Sequence, residues 1–240
     1  MLAAMEKTAT PEQRAELEFA RVTRLMRGAQ KAPVAARTQL LSAARKFQAE
    51  FPGDRRVAAL LVEVATLFDG QPRTKTALLT DAQALATDPG LKVRIADDLR
   101  RADLLGTSIK LNFTSVQGRE VKIEEYLGRL VFVVFFADFS PPSTEALARL
   151  QKSLVALPKG SAAAIGVSLD PKRETLDAVL KSTGLNWPVA FDGKSWEGEL
   201  VRSFGINALP TVWLLDKQGK LRSLNALADT VEQARQLLRE

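Results

Sequence analysis

The spacing of apolar residues in the first part of the chain predicts a series of α-helices. Thr10-Pro11-Glu12-Gln13 has the composition of a capping box with proline at the first helical position. Phe19, Val22 and Met26 then recur at helical spacing, and Gly28 follows as a stop signal. The sequence therefore predicts a first helix that begins near residue 11 and ends at Gly28.

Four more helical faces follow before residue 106. A second helix is predicted to end at Pro52-Gly53, and a third is predicted to begin with Asp54 as its cap and to end at Gly70. The apolar positions of the four faces are Leu40, Ala44, Phe47 and Phe51, then Val57, Leu60, Leu61, Val64 and Phe68, then Leu78, Ala82 and Leu85, and finally Leu91, Ile95 and Leu99. The hairpin at Pro52-Gly53 resembles a tetratricopeptide-type pair, but no second copy is convincing at the roughly 34-residue period of such repeats, so an irregular helical bundle is the alternative.

After Gly106 the pattern changes to strands that alternate with helices. Residues 129–138, RLVFVVFFAD, form an apolar run between polar residues, which is typical of a strand buried on both faces. An amphipathic helix separates this run from a second apolar run at 161–169, so a parallel βαβ unit is expected. Asp170-Pro171 is interpreted as the capped start of the next helix, which is predicted to end at Gly184.

The last third of the chain predicts a short strand, a hairpin and a terminal helix. Residues 210–216, PTVWLLD, and 220–224, KLRSL, are joined by the turn signal Lys217-Gln218-Gly219, and a helix is expected from about Thr230. The whole pattern predicts an all-helical module at 1–106, followed at 107–240 by an α/β domain with a central mixed sheet and flanking helices.

Composition narrows the range of partners. The 240 residues carry a net charge of +6, but Lys and Arg are scattered among nearly as many Asp and Glu. No basic stripe with stacking aromatics is present, so nucleic-acid binding is not expected. No run approaches the roughly 20 apolar residues of a membrane span, and the first residues lack the pattern of an intact signal peptide.

The chain contains no cysteine and no histidine. Disulfides, thiolate nucleophiles, zinc–thiolate sites and iron–sulfur clusters are therefore impossible, and so is every serine–histidine triad. The remaining carboxylates are scattered along the sequence and do not indicate a metal site, so neither a metal nor another cofactor is expected.

The turn Ser140-Pro141-Pro142-Ser143 joins the first buried strand to a helix. Local geometry accounts for it in one interpretation, because a serine can cap the helix and a proline at the first helical position loses no hydrogen bond. Asp138, just before this turn, is interpreted as a surface acid. In the other interpretation the turn is a former chemical site.

Residues 107–240 resemble a thioredoxin-fold domain of the thiol-disulfide oxidoreductase and alkyl hydroperoxide reductase superfamily. Four segments in the family's order carry the resemblance. They are GREVKIEEYLGRLVFVVFFADFSPPS, AIGVSLDPKRETLDAVLKSTGLNWPVAFDG, FGINALPT and VWLLDKQGKL. The resemblance covers the second half of the chain and leaves residues 1–106 outside it.

The chain departs from the family at its defining motif. Ser140 and Ser143 stand where active members carry Cys-x-x-Cys, in which one cysteine attacks a disulfide and the other resolves the mixed disulfide. The family's two tryptophan positions hold Phe136 and Phe139, and Val134 stands where thioredoxins keep a buried acid. Several changes together favour natural loss of redox activity, and deliberate replacement of both cysteines is the alternative.

The resemblance also implies a groove for an extended peptide. In the family, the residue before a cis-proline presents its backbone to the substrate. That residue would be Leu209, with Pro210 cis, although Pro210 could also simply begin a strand. The expected groove consists of Phe139, Ser140, Pro141, Pro142, Ser143, Leu209 and Pro210.

Two functions are compatible with these residues. One is a redox-inactive thioredoxin-like protein that binds or scaffolds a peptide or protein partner. The other is a thiol-disulfide oxidoreductase or peroxidase-like enzyme whose cysteines are replaced by serine in this chain. The family's usual location implies an extracytoplasmic compartment.

Overall fold

The computed structural model describes residues 9–29, 34–69, 71–227 and 230–240. The chain divides into two compact units, residues 1–99 and 100–240. Within the described ranges, no helix combines the length and the apolar character needed to cross a membrane.

Helices make up the first unit, as the sequence pattern predicts. They are α1 (Pro11–Ala29), α2 (Val34–Glu50), α3 (Val57–Ala65), α4 (Pro72–Leu85) and α5 (Pro89–Ala102), the last of which continues into the second unit. The capping box at the start of α1 is confirmed, because the Thr10 N–H donates to Gln13 Oε1 (2.9 Å) and the Gln13 N–H donates to Thr10 Oγ1 (3.3 Å). The predicted end of the third helix at Gly70 lies outside the described residues.

Asp54 does not cap α3, contrary to the prediction. The helix begins two residues later than expected, with Arg56 at the N-cap position and no side-chain cap. Asp54 lies in the preceding turn, where its carboxylate accepts hydrogen bonds from the Arg56 N–H (2.9 Å) and from the guanidinium at 2.9 and 2.6 Å. Arg56 also binds Glu16 of α1 and lies over the Phe19 ring, so this turn is tied to the first helix.

The pH dependence of the helical unit should reflect this contact. The Arg56 hydrogen bonds hold the pKa of Asp54 below its ordinary value. This contribution to stability is therefore full above the unfolded-state pKa of about 3.9 and is lost as the pH falls through the lower folded-state value. Asp54→Asn should lower the stability of the helical unit at pH 6, and the difference from the parent chain should shrink towards pH 2.

Urea unfolding followed by circular dichroism at 222 nm measures this difference. Trp187, Trp196 and Trp213 all lie in the second unit, so tryptophan fluorescence reports that unit separately. Glu16→Gln is the matched control, because the Glu16 side chain is 69% exposed whereas that of Asp54 is 15% exposed. An Asp54→Asn difference that is the same at pH 6 and pH 2 would contradict the assignment.

The second unit is built around a mixed five-stranded sheet. Its strands are β3 (Leu130–Phe136), β4 (Ala162–Ser168), β5 (Val189–Ala190), β6 (Thr211–Leu215) and β7 (Leu221–Ser223), in the spatial order β5-β4-β3-β6-β7. The pairs β3–β4 and β4–β5 are parallel, whereas β3–β6 and β6–β7 are antiparallel. A separate hairpin of β1 (Asn112–Thr114) and β2 (Glu120–Lys122) precedes this sheet.

Helices cover the sheet on both faces, which explains why β3 is apolar throughout. All seven β3 residues are buried. Alternate residues of β3 point to opposite faces, where α6 (Pro141–Val155), α7 (Arg173–Thr183) and α9 (Thr230–Arg239) cover one core and α8 (Glu199–Ser203) and the turn Ile123–Tyr126 cover the other. The α/β fold with flanking helices is therefore confirmed.

One helix boundary differs from the prediction, and one agrees with it. Asp170-Pro171 does not start α7, because that helix begins at Arg173 with Lys172 at the N-cap position. Asp170 is instead fully buried. The helix ends as predicted at Gly184, which adopts the left-handed conformation with φ 63°.

Residues just before and within the first hairpin protect both edges of the large sheet. Beside β7, the Gly106 N–H donates to Leu221 O (2.7 Å) and the Leu221 N–H donates to Thr107 O (2.9 Å). Beside β5, the Val116 N–H donates to Val189 O (2.9 Å). The short outer strands therefore have backbone partners on their outer sides.

Gly166 in β4 is required by close packing. A Cβ atom at this position would lie 3.0 Å from Phe136 Cε1 and 3.0 Å from Val189 Cγ2. Gly166→Ala should therefore destabilise the second unit by about 1–3 kcal/mol through overpacking. Urea unfolding followed by tryptophan fluorescence checks this value.

Gly53→Ala is the control for this experiment, because nothing lies within 4 Å of a Cβ at Gly53 and the residue belongs to the other unit. The fluorescence transition of that variant should match the parent chain. A Gly166→Ala variant as stable as the parent would show that the strand contacts relax without cost.

Candidate functional site

The candidate site lies where the hydrogen-bond ladder of the central strand opens. Phe135 pairs with Thr211 in the antiparallel β3–β6 ladder, so a continued register would place Ala137 opposite Leu209. The Leu209–Pro210 peptide bond is cis, as the resemblance implies. The Ala137 N–H donates instead to Ser143 Oγ at 3.4 Å. The two strand extensions therefore separate at this point.

Ser140 bridges the resulting gap. It occupies the N-cap position of α6 with extended backbone angles, and Pro141 begins the helix. The Ser143 N–H donates to the backbone oxygen of Ser140 at 2.8 Å, so the turn is closed by main-chain atoms. The Ser140 hydroxyl donates to the Leu209 carbonyl oxygen at 3.4 Å, a long hydrogen bond.

This arrangement corrects the local interpretation of the first serine. A capping serine would accept a hydrogen bond from a backbone N–H in the first turn of α6, but the Ser140 side chain makes no such bond. Its hydroxyl is directed across the gap to Leu209. The proline at the first helical position is present as expected, so only the capping part of that interpretation is wrong.

The two serines differ sharply in exposure. Ser143 is 1% exposed, whereas Ser140 is half-buried at the surface of the turn. The outer rim is apolar, because Phe139 is 52% exposed and the two prolines of the turn are also exposed. Leu209 is half-buried and packs against the core on the face of the sheet that α8 covers. The structure thus brings Ser140 and Leu209 together at the surface and turns Ser143 inwards.

Asp138 is exposed, in agreement with its interpretation as a surface acid. Its backbone N–H, however, donates to Asp170 Oδ1 at 2.9 Å. Asp170 Oδ2 in turn accepts the Ser168 hydroxyl at 2.8 Å, and the Asp170 N–H donates to Ser168 Oγ at 3.1 Å. A buried acid therefore contacts the site from the end of β4, although Val134 in β3 carries none.

Sequence reasoning missed Asp170 because its position suggested a helix cap. A signal was present, since the residue directly follows a strand predicted to be buried and parallel to the strand before the turn. Residues that follow neighbouring parallel strands meet at one edge of a sheet.

The site has no activated nucleophile. Ser140 and Ser143 contact backbone atoms, and the chain has no histidine to deprotonate either hydroxyl. Across the described ranges, no group of three or more Asp and Glu side chains is arranged to hold a metal ion. The arrangement offers hydroxyls, backbone polar groups and an apolar rim, which suit binding.

Comparisons with known proteins give matches over the second half of the chain. The model of the AhpC/TSA family matches residues 107–224, a range that includes the serine turn and the cis-proline. A solved domain assigned as the C-terminal part of a thiol-disulfide oxidoreductase from Bacteroides thetaiotaomicron superposes with a TM-score of 0.52. It covers 56% of this chain and 96% of its own length at 16% identity.

The second half of the chain belongs to the thioredoxin-like superfamily. Thiol-disulfide oxidoreductase ResA of Geobacillus thermodenitrificans is 22% identical over 125 residues, which are 52% of this chain and 70% of the relative. Sporulation thiol-disulfide oxidoreductase A of Bacillus subtilis is 24% identical over 129 residues, 52% of this chain and 76% of the relative. Both relatives are named as thiol-disulfide oxidoreductases.

Proposed function

We propose that this chain is a thiol-disulfide oxidoreductase domain in which Ser140 and Ser143 occupy the two cysteine positions. As it stands, it performs the binding half of that reaction and holds an extended polypeptide in the groove without exchanging disulfides. The observation that carries the proposal is the Ser140 side chain directed at the carbonyl of Leu209, beside the cis peptide bond.

The open ladder supports peptide binding. No hydrogen bond from the Leu209 N–H is found in the described part of the chain, and its carbonyl accepts only the long bond from Ser140. A segment that enters the gap could pair with both groups as an added strand. The outer edges of the sheet already have backbone partners, so the gap is the better place for such pairing. Phe139, Pro141 and Pro142 supply an apolar rim around it.

Leu209→Glu tests the groove. A buried part of the Leu209 side chain would be replaced by a charge, so the affinity for an extended peptide should fall at least about tenfold, which corresponds to about 1.4 kcal/mol. The probe is fluorescein-labelled, reduced insulin B chain in excess dithiothreitol, and binding is measured by fluorescence anisotropy.

Val155→Glu is the matched control, because it adds the same charge at an exposed apolar residue at the end of α6. Its affinity should equal that of the parent chain. Equal binding by Leu209→Glu and the parent would remove the groove from the proposal, and so would the absence of binding by the parent.

The comparisons favour oxidoreductase chemistry over a purely scaffolding role, because the relatives described above carry that activity in their names. The chemistry requires sulfur. A thiolate at position 140 would attack one sulfur of a substrate disulfide and release the other as a thiolate, and a second thiolate at 143 would then displace the substrate from the first. The exposure of the two positions supports this order, because 140 is accessible and 143 is buried behind it.

The variant Ser140→Cys/Ser143→Cys should restore this reaction. With dithiothreitol as the reductant, it should reduce insulin at a rate at least about tenfold above that of the parent chain. When dithiothreitol is left out, Ser140→Cys alone should form a mixed disulfide with the substrate that is not resolved. Ser143→Cys alone is the matched control and should remain at background, because its thiol is covered.

A folded double variant without activity, judged against the near-ultraviolet circular dichroism of the parent, would contradict the oxidoreductase proposal. The source genome distinguishes natural serines at these positions from serines that deliberately replace cysteines. Cysteine codons at 140 and 143 would assign exchange to the natural protein, and serine codons would assign it the binding role.

Two further proposals concern the compartment, which rests on the resemblance, and the helical module, which rests on the sequence pattern. We infer that the protein works outside the cytoplasm, as the family's usual location implies. We also infer that residues 1–106 form a separate helical module that provides a second contact surface for a partner. The protein, fused to alkaline phosphatase and expressed from its native gene, would test the location, because secretion of the fusion can be measured.

A further inference from the structure

We propose that Asp170 is a positioning residue that holds the serine turn in its binding geometry. The inference deepens the proposed function and, for its binding consequence, rests on it. The last paired residues of the β3–β4 ladder are Phe136 and Ser168.

One more backbone hydrogen bond of the ladder forms beyond this pair. The Leu169 N–H donates to Phe136 O at 2.8 Å, as a parallel register with Ala137 opposite Leu169 requires. In the same register the next donor is the Asp138 N–H, and its acceptor would be the backbone oxygen of Leu169. The structure places Asp170 Oδ1 at that donor instead, at 2.9 Å. A side-chain carboxylate therefore replaces a backbone acceptor at the step where the strands separate.

Two buried side chains hold consecutive amides of the chain that leads into the turn. On the β6 side, Ser143 Oγ accepts a hydrogen bond from the Ala137 N–H. On the β4 side, Asp170 Oδ1 accepts one from the Asp138 N–H. The Ser140 N–H then donates to Ala137 O at 3.2 Å, so the position of Ser140 depends on these anchored residues. Loss of either acceptor would leave a backbone N–H without a partner and free the turn to move.

The surroundings of Asp170 are unusual for a structural carboxylate. The residue is 0% exposed, and among the described residues it has no Lys or Arg partner. Its hydrogen bonds come from the Asp138 N–H and the Ser168 hydroxyl alone. A buried carboxylate without a cation is costly, and an apolar residue could fill the same space. The geometry points to retention of the carboxylate for its acceptor oxygen at the turn.

Amide hydrogen exchange at residue 138, measured by NMR, tests the anchoring without any ligand. Asp170→Ala should raise the exchange rate of this amide at least about tenfold relative to that of Val167 in β4. Asp170→Asn keeps an acceptor oxygen for Asp138 and gains an NH₂ that can donate to Ser168 Oγ, so its rate should stay within about threefold of the parent. Asp138→Ala is the matched control, because it removes a carboxylate from the same turn but keeps the backbone donor.

Two results of the exchange measurement would overturn the proposal. Unchanged exchange in a folded Asp170→Ala variant would overturn it. Exchange in Asp170→Asn as fast as in Asp170→Ala would also overturn it, because acceptor geometry would then not be the cause. If Asp170→Ala does not fold, the Asp170→Asn variant decides, and an increase of about tenfold in its rate would overturn the assignment.

The binding consequence is measured with the insulin B chain probe. Asp170→Ala should weaken binding about tenfold, whereas Asp170→Asn and Asp138→Ala should match the parent. If the parent binds no peptide, the proposed function fails, but the exchange result still decides whether Asp170 anchors the turn. Parent-like affinity of Asp170→Ala would show that the turn keeps its binding geometry without this carboxylate and would overturn the positioning role.

Discussion

The site depends on how the backbone hydrogen bonds of β3 are satisfied where the strand ends. Along the strand, the backbone pairs with β4 on one side and with β6 on the other. Beyond Phe136 those partners diverge, and a buried amide without an acceptor would be costly. Ser143 and Asp170 supply the acceptors, one from each side. The chain can therefore leave the sheet, turn at two prolines and begin a helix while the amides of Ala137 and Asp138 remain paired.

The sequence predicts the main elements well because their signals are local. The apolar run at 129–138 and the capping box at Thr10 report burial and helix initiation directly. Asp54 and Asp170 both match the sequence pattern of a helix cap, but in the structure both form other contacts. An aspartate before a helix has the same local pattern whether its oxygen meets the helix, an arginine or a distant amide. Only the tertiary structure distinguishes these cases.

Replacement of sulfur by oxygen changes the chemistry of the site and leaves much of its geometry in place. The serine turn, the cis peptide bond and the inward-facing second position are all present. Resemblance to oxidoreductases could predict this geometry, because the fold specifies it. It could not predict the hydrogen bond from Ser140 to Leu209, since in the family that position holds a thiol with different bonding.

Residues 106–116 have a further consequence for the protein outside its site. They supply backbone partners to β7 on one side and to β5 on the other. A single short stretch of chain thus closes both margins of the sheet against pairing with another molecule. A chain cut after residue 116 would lose the buried Ile109 and Leu111 from the core, and it would also expose two margins that favour self-association. The stretch before the first long strand therefore shields the margins of the sheet as well as completing its core.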